Sequence, residues 1–441
     1  MAAAERPYVQ RGYAAYVIAV LFLAYMFAYL DRQVIGLLTP ALKASLHLTD
    51  VQVSLLHGLA FVSIFVLAGL PLGHLIDRAD RRRIIAIGIA FWSLATVACG
   101  LAETFWQLFA ARLAVGLGEA CLAPAAVSLV ADYFRSDQRG RAMGLVQAGT
   151  PIGSALSLLV GGAILSLFAP AGALADHLPA GVAPWQAVFL AIGAPGLLVA
   201  LLAWSLREPP RRDIRVAGDG PDPSLRTLLA ASPATFALFY ATYSCVFIVG
   251  YGTSAWGPTI LMRIYDASPG QAGAIFAGLL LVSSPVAGIV GGFLSDALSR
   301  RRPQDGRMLI PVLLLPAIIA SLTGFLLAHS LVATVVWLAL ALFFTNMTAT
   351  TSFAALQELA PNRLRGKAVA LYLLIGNLVG LGGAPTLIAL VTDRVFVDEM
   401  MLQTSVGTVA LAAAVVAFAL ALLLPRRYRA ARSSATAIAT A

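Results

Sequence analysis

The sequence predicts an all-α membrane protein, with twelve transmembrane helices arranged as two pseudo-symmetric six-helix bundles. Three observations carry that prediction. The first is composition: of 441 residues, 60% are hydrophobic and only 12% charged, with a mean hydropathy of +0.86. A soluble domain carries about 25% charged residues, so lipid is the solvent for most of this chain. The second is segmentation into about twelve apolar runs, each near the ~20 residues that a spanning helix needs. The runs are too long and too continuous for the alternating strands of a membrane barrel. The third is an internal repeat, set out below.

In order, the expected spans are 13–38, 50–75, 84–102, 105–131, 141–168, 185–206, 234–262, 270–295, 307–328, 331–357, 367–392 and 403–424. With the N-terminus in the cytoplasm, the segments on that side hold about 25 of the 30 Lys and Arg, the outer loops about three, and the membrane two, Arg32 and Arg112. That asymmetry is the positive-inside bias. It puts both termini inside, in an inner (plasma) membrane, and it accounts for the net charge of +9 with no nucleic-acid partner. Cys99, Cys121 and Cys245 all fall in apolar runs, so no disulfide is expected. The first span is too long for a signal-peptide core, and no cleaved leader is expected.

The stretch from Arg207 to Ser224, "REPPRRDIRVAGDGPDPS", is rich in Pro, Gly and charge and reads as a flexible cytoplasmic linker. It sets the expected boundaries: an N-terminal bundle over 1–206, a linker over 207–233, and a C-terminal bundle with a short tail over 234–441. The two bundles echo one another. "GHLIDRADRRR" (Gly73 to Arg83) follows span 2 and "GFLSDALSRRR" (Gly292 to Arg302) follows span 8. A second pair follows spans 4 and 10: "DYFRSDQRGRA" (Asp132 to Ala142) and "ELAPNRLRGKA" (Glu358 to Ala368). Six-helix halves related by an axis along the membrane normal are a transporter architecture.

These residues resemble the major facilitator superfamily over nearly the whole chain. Gly73, Leu75, Asp77, Arg78, Arg81 and Arg82 match its G-x-L-x-D-R-x-G-R-R signature, with Asp80 standing where the signature has Gly. The stretches "YLDRQVIGLL", "ARLAVGLGEACLAPAAVSLVADYF" and "RGRAMGLVQAGTPIGSAL" are similar to the spinster-like branch. That resemblance implies the superfamily fold and proton-linked movement of lysolipids or sphingoid lipids. Sugar-acid and organic-anion symporters share a similar Asp-Arg in span 1, which leaves a proton-coupled organic-anion symporter as the alternative.

Asp31 and Arg32 sit side by side in span 1, where each charge costs about 2.5–3.5 kcal/mol on insertion scales. Span 4 carries Arg112 and Glu119, two turns apart and therefore on one helix face. Spans 1 and 4 run antiparallel, which puts Asp31 and Arg112 at similar depth with Glu119 nearer the midplane. In the superfamily both spans line the central cavity, so the resemblance brings these charges together. The expectation is that Asp31 and Glu119 bind protons and that Arg112, with Arg32, sets their affinity. The competing reading is that the charges only staple helices 1 and 4.

Spans 7 and 10 contain no Asp, Glu, Lys or Arg. Span 7 instead carries Tyr240, Tyr243, Phe247 and Tyr251 at helical spacing, and span 10 adds Thr345 and Asn346. With His57 of span 2, these are the expected substrate-cavity residues, on a wall suited to an amphipathic molecule, although such stripes also serve packing. A cytoplasmic gate is expected from Gly73, Asp77, Arg78, Arg81, Asp132 and Arg139 in the first half, and from Asp296, Arg300, Glu358 and Arg365 in the second. The small residues Gly149, Gly153, Ser157 and Gly161, four apart on span 5, read as a packing face. No metal site is expected from the scattered histidines. No phosphate-binding loop is present in the sequence, which argues against ATP-driven pumping. Clustered nucleophiles and bases are lacking as well, which argues against an enzyme. The sequence thus points to a monomeric secondary transporter in the lipid bilayer. It is expected to work by alternating access with no cofactor beyond the proton, on a small amphipathic organic substrate.

Overall fold

A computed structural model describes residues 11–169, 172–174, 177–178, 181–211, 225–360 and 364–440. Among them there is no β-strand, and twelve helices are long and apolar enough to cross a membrane. They are α1 (Gly12–Gln33), α2 (Asp50–Gly69), α3 (Arg81–Gly100), α4 (Phe105–Tyr133), α5 (Arg139–Leu167), α6 (Pro184–Trp204), α7 (Pro233–Ile264), α8 (Pro269–Arg301), α9 (Gly306–Leu326), α10 (Leu331–Leu359), α11 (Arg365–Phe396) and α12 (Glu399–Ala431). The expected linker lies partly outside the described residues.

The chain divides into two compact units, Met1–Leu48 with Ala60–Gly218, and Thr49–Leu59 with Asp219–Ala441. The expected cut falls in the linker, but the first eleven residues at the head of α2 belong with the second unit, an exchange that no local sequence feature announces. Within the first unit α3 packs on α4 and α6, and α1 packs on α5 and α6. Within the second, α9 packs on α10 and α12, and α7 packs on α11 and α12. The neighbour pattern is the same with every number raised by six, as the sequence repeat requires.

The repeat reaches into the helix caps. The Thr49 hydroxyl accepts from the Gln52 amide, and the Ser268 hydroxyl accepts from the Gln271 amide, each closing a capping box at the head of α2 and α8. Thr104 and Ser330 cap α4 and α10 in the same way, accepting from Gln107 and Ala333. Each cap satisfies a backbone donor that helix geometry leaves unpaired. Asp80 is a cap as well. Its carboxylate accepts from the Arg83 amide at 3.1 Å with its own backbone extended at φ −69° and ψ 108°, so the turn needs no glycine. Partial burial of Asp80 opposes its charged form. The Arg83 amide and the Arg82 and Arg83 guanidiniums outweigh that and hold the carboxyl below its ordinary value.

The α5 stripe packs as expected. A side chain on Gly153 would run into the Met26 carbonyl of α1, and the Ser157 hydroxyl donates to the Leu30 carbonyl. Close approach of this kind is what small residues permit between spanning helices, and it fixes α1 just where Asp31 and Arg32 lie. Three spans expected to be continuous are broken, α5 at Ala148 and the two that carry the buried charges. The helix of α1 stops at Gln33 and resumes as a short helix, Ile35–Leu46. The helix of α4 pauses at Ala120–Cys121. The α4 break follows directly on Glu119, and the α1 break comes two residues after Arg32.

The expected gate resolves into two sets. Arg81 is fully buried and donates to Asp132, to Glu208 at 2.6 Å, to the Ser128 hydroxyl at 2.8 Å and to the Pro209 carbonyl at 3.1 Å. In the second unit Arg307 lies 3.1 Å from Glu358, which also accepts from the Tyr428 hydroxyl at 2.8 Å. These pairs are internal to their units. The sequence echo aligned Arg81 with Arg300, but Arg300 is exposed and Arg307, seven residues further on, occupies the equivalent place. Arg139 and Arg365 donate to backbone carbonyls of Phe134 and of Gln357 and Ala360, closing their own loops. Asp77, Arg78 and Asp296 are exposed and Gly73 is half-buried. Asp296 lies 3.9 Å from Arg307.

Removing one partner of a buried pair strands the other. R81M is therefore expected to lower stability by about 3–5 kcal/mol, read as a fall in thermal unfolding temperature of the purified protein. R300A, at an exposed position, is expected to stay within about 0.5 kcal/mol of the parent.

Candidate charged site

The four intramembrane charges lie together inside the first unit as two pairs. Arg112 donates through Nη1 to Oδ2 of Asp31, with side-chain exposures of 0% and 2%. Arg32 donates through Nε to Oε2 of Glu119 at 2.7 Å, and its Nη2 donates to the same oxygen. The Glu119 side chain is fully enclosed, whereas Arg32 keeps 19% exposure. Two positive and two negative charges cancel, and that balance lets the cluster sit at membrane depth.

Local geometry explains the pairing. Arg112 and Glu119 lie on one face of α4, roughly 10 Å apart along its axis, whereas Asp31 and Arg32 are adjacent in α1. Reach makes up the difference. The short Asp31 is met by the long Arg112, and the long Arg32 extends to Glu119. The break after Gln33 frees the end of α1 to present both neighbours to α4 at once.

Three aromatic residues complete the site, and the sequence reading did not select them. The Arg32 guanidinium carbon lies 4.3 Å from the ring centre of Phe61, 4.8 Å from Tyr29 and 5.2 Å from Phe65. The two phenylalanine rings stack at 5.3 Å, and Phe61 also lies 5.9 Å from the guanidinium of Arg112. Each such contact is worth about 0.5–2 kcal/mol, so the rings hold Arg32 without neutralising it. The available signal was Phe61 and Phe65 at i and i+4, which place two rings on one face of α2.

Each pair leaves part of its hydrogen-bonding capacity unused. Asp31 Oδ1, Glu119 Oε1, and Arg112 Nε and Nη2 are buried and make no hydrogen bond among the described residues. Buried polar atoms are seldom left so. Such a cluster can take up a proton on either acid, or a polar group between the pairs.

The other expected site residues lie in the second unit and are divided. Tyr243 is fully buried in an apolar core with Phe239, Tyr240 and Tyr372, its ring tilted against that of Phe239 at 4.7 Å. Tyr240 and Tyr243 are therefore packing residues, because the stripe faces the helix neighbours of α7. Phe247 and Tyr251 are half-buried, stacked on each other at 5.9 Å, and the Tyr251 hydroxyl lies 3.0 Å from Asn377 Oδ1. Thr345 is buried, with a hydroxyl that makes no hydrogen bond among the described residues. Asn346 donates to the Ser284 hydroxyl at 3.2 Å. His57 is buried, its ring 5.9 Å from that of Trp256. Among the described residues no group of His, Cys, Asp and Glu could hold a metal ion.

The family model for the Major Facilitator Superfamily matches residues 21–385. The chain belongs to this superfamily. Within it, the relatives point to the spinster-like branch. The superfamily chain is 28% identical over 405 residues to protein spinster homolog 1 of Xenopus laevis, covering 86% of this chain and 73% of that one. It is 26% identical over 412 residues to an MFS-type efflux pump of Mycolicibacterium smegmatis, covering 90% and 88%. Among solved structures it is similar to a bacterial homolog of the human lysosomal transporter Spinster, crystallised in an inward-facing, unoccupied conformation. That match has a TM-score of 0.77 and 26% identity, over 97% of this chain and 98% of the other. The protein is thus an integral, multi-pass membrane transporter and not an enzyme.

In this transporter the pairs can be tested for a merely structural role. The single variants D31L and R112M each strand one buried charge and are expected to lower the unfolding temperature, a loss of about 3–5 kcal/mol. The double variant D31L/R112M removes both charges and is expected to recover most of that loss. Thermal unfolding of the three purified proteins checks this.

Proposed function

We propose that the protein is a proton-coupled secondary transporter that moves an amphipathic organic molecule by alternating access. The observation that carries this reading is the asymmetry of the Arg32–Glu119 pair: a fully enclosed carboxylate is held by a guanidinium whose side chain keeps 19% exposure. While Arg32 stays on Glu119, its positive charge favours the ionised acid. When Arg32 leaves for water or for an anionic group on a substrate, an enclosed carboxylate without its cation takes a proton instead. Asp31 stands in the same relation to Arg112, at a site shielded from solvent. Coupling requires a ligand that interacts differently with two states, and this pair supplies it: proton occupancy follows the position of one arginine.

The substrate class rests on similarity to the spinster-like branch, whose members are associated with lysolipids and sphingoid lipids. It is supported by the rings of Tyr29, Phe61 and Phe65 around Arg32, which offer apolar surface beside a charge, as an amphipathic molecule needs. The charge asymmetry of the loops supports cytoplasmic termini and an inner membrane. No cofactor besides the proton enters the scheme, and a single chain is taken as the working unit. The exposed Asp77, Arg78, Asp296 and Arg300 are retained as cytoplasmic gate residues, with the internal Arg81–Asp132 and Arg307–Glu358 pairs as their fixed footing.

The test is reconstitution in liposomes with an imposed pH gradient, screening lysolipids, organic acids and amphipathic drugs. Gradient-driven movement is expected for an amphipathic compound and is expected to fall to background in D31N and in E119Q, both still inserted in the bilayer. Full gradient-driven transport by both variants would contradict the proposal. Competition by small carboxylates would favour the organic-anion alternative.

A further inference from the structure

The first unit has a hollow in its outward surface where the second unit has an indole ring. On α3 the residues Ile87, Phe91, Leu94 and Leu101 are exposed, at helical spacing along one stripe. Ala98 sits on that stripe between Leu94 and Leu101 and is exposed as well, but its side chain is a single methyl. A hollow of about 390 Å³ opens there, lined by Ala98, Leu101 and Ala102 on one side and by Gln107, Ala110 and Ala111 of α4 on the other. Gln107 is the one polar residue among these, and its side-chain oxygen is engaged with the backbone amides of Glu103 and Thr104.

The repeat shows how the same place is closed in the other half. Asp132 and Glu358 stand 226 residues apart, as do Arg81 and Arg307, and the same offset carries Ala98 to Gly324 and Ala111 to Trp337. In the second unit the Trp337 ring lies so close to Gly324 that a side chain on that glycine would strike it. The seam between α9 and α10 is therefore filled by the chain's own indole. The seam between α3 and α4, with alanine at both positions, is not. Cys99 and Arg112, the next residue on each helix, are fully buried, so the hollow lies one residue away from the Arg112–Asp31 pair.

The stripe that bears the hollow faces lipid, because α3 is a spanning helix and its exposed side chains there are large and apolar. The hollow is thus continuous with the bilayer surface. A hydrocarbon chain gains nothing hydrophobic by moving from lipid to an apolar wall. It gains the dispersion contacts that a wall forfeits when no atoms pack against it. The volume falls within the range of about 300–1,000 Å³ typical of sites for small ligands. Trp106 at the head of α4 is exposed, as aromatic residues at headgroup level are, and Ala111 lies more than one turn deeper along the same helix.

We propose that the hollow between α3 and α4 binds an acyl chain of a bilayer phospholipid. The chain does for the first unit what Trp337 does for the second: it closes the seam behind the Arg112–Asp31 pair. This needs only the membrane setting and holds whether or not transport is coupled to protons.

The test uses the full chain reconstituted in vesicles of phosphatidylethanolamine and phosphatidylglycerol, doped with a phosphatidylcholine that carries a photoreactive diazirine in an acyl chain. After illumination and digestion, mass spectrometry counts lipid adducts on each peptide. Residues 324–337 are the reference, since they are the repeat counterpart of 98–111. In the parent, adducts on 98–111 are expected to exceed those on 324–337 by roughly fivefold or more, an affinity difference of about 1 kcal/mol. The double variant A98G/A111W copies the second unit and is expected to abolish the excess. The double variant G324A/W337A copies the first and is expected to raise adducts on 324–337 to the level of 98–111. Should A98G/A111W fail to insert, A98L fills the hollow from an exposed position of α3 and is expected to abolish the excess as well. Equal labelling of the two segments in the parent would overturn the proposal, as would an excess that persists in A98G/A111W or A98L. Cross-links from 98–111 to a second copy of the chain in place of lipid adducts would overturn it too.

Discussion

The structure depends on how two acids and two arginines are kept at membrane depth. A lone charge there is costly, and a buried pair is tolerable only with good geometry on both sides. That requirement reaches outward from the site. Ser157 and Gly153 seat α1 against α5. The breaks at Val34 and at Ala120–Cys121 let α1 and α4 offer their charges at matching positions. Phe61 and Phe65 close over Arg32. These features make chemical sense together, as the surroundings of a neutral cluster with one member left accessible.

The two units have kept some features of the duplication and lost others. The helix caps at Thr104 and Ser330, and the pairs Arg81–Asp132, buried, and Arg307–Glu358, half-buried, occur in both. These stabilise helix ends and hold loops, tasks that both halves share. The interiors have diverged. The first unit holds its ion pairs, whereas the corresponding region of the second is an apolar core around Tyr243, Tyr372 and Tyr428.

Much of the architecture was legible in the sequence, because hydropathy and the repeat depend on composition and order alone. The twelve spans agree with the helices to within a few residues at most ends, and the Gly149–Gly161 stripe has its expected packing role. The grouping of Asp31, Arg32, Arg112 and Glu119 was also legible: periodicity and antiparallel depth matched their heights, and the family resemblance brought spans 1 and 4 together. What sequence could not supply was rotation and reach. It did not tell which acid each arginine meets, that Phe61 and Phe65 turn toward Arg32, or that Tyr243 turns into the core. Arg307 was missed because the helix of α8 runs on to Arg301, past the point that aligns with the helix end at Arg78 in the first half, so the aligned Arg300 falls short of the position.

The central claim is that these enclosed acids take up protons. Infrared difference spectroscopy of the purified full chain, between alkaline and acidic pH, tests it most directly, because a protonated carboxyl in a shielded setting has a carbonyl band separate from that of the carboxylate. The account predicts such a band on acidification, diminished in E119Q and in D31N and gone when both substitutions are combined. A spectrum without the band, or a band unchanged in the double variant, would contradict it.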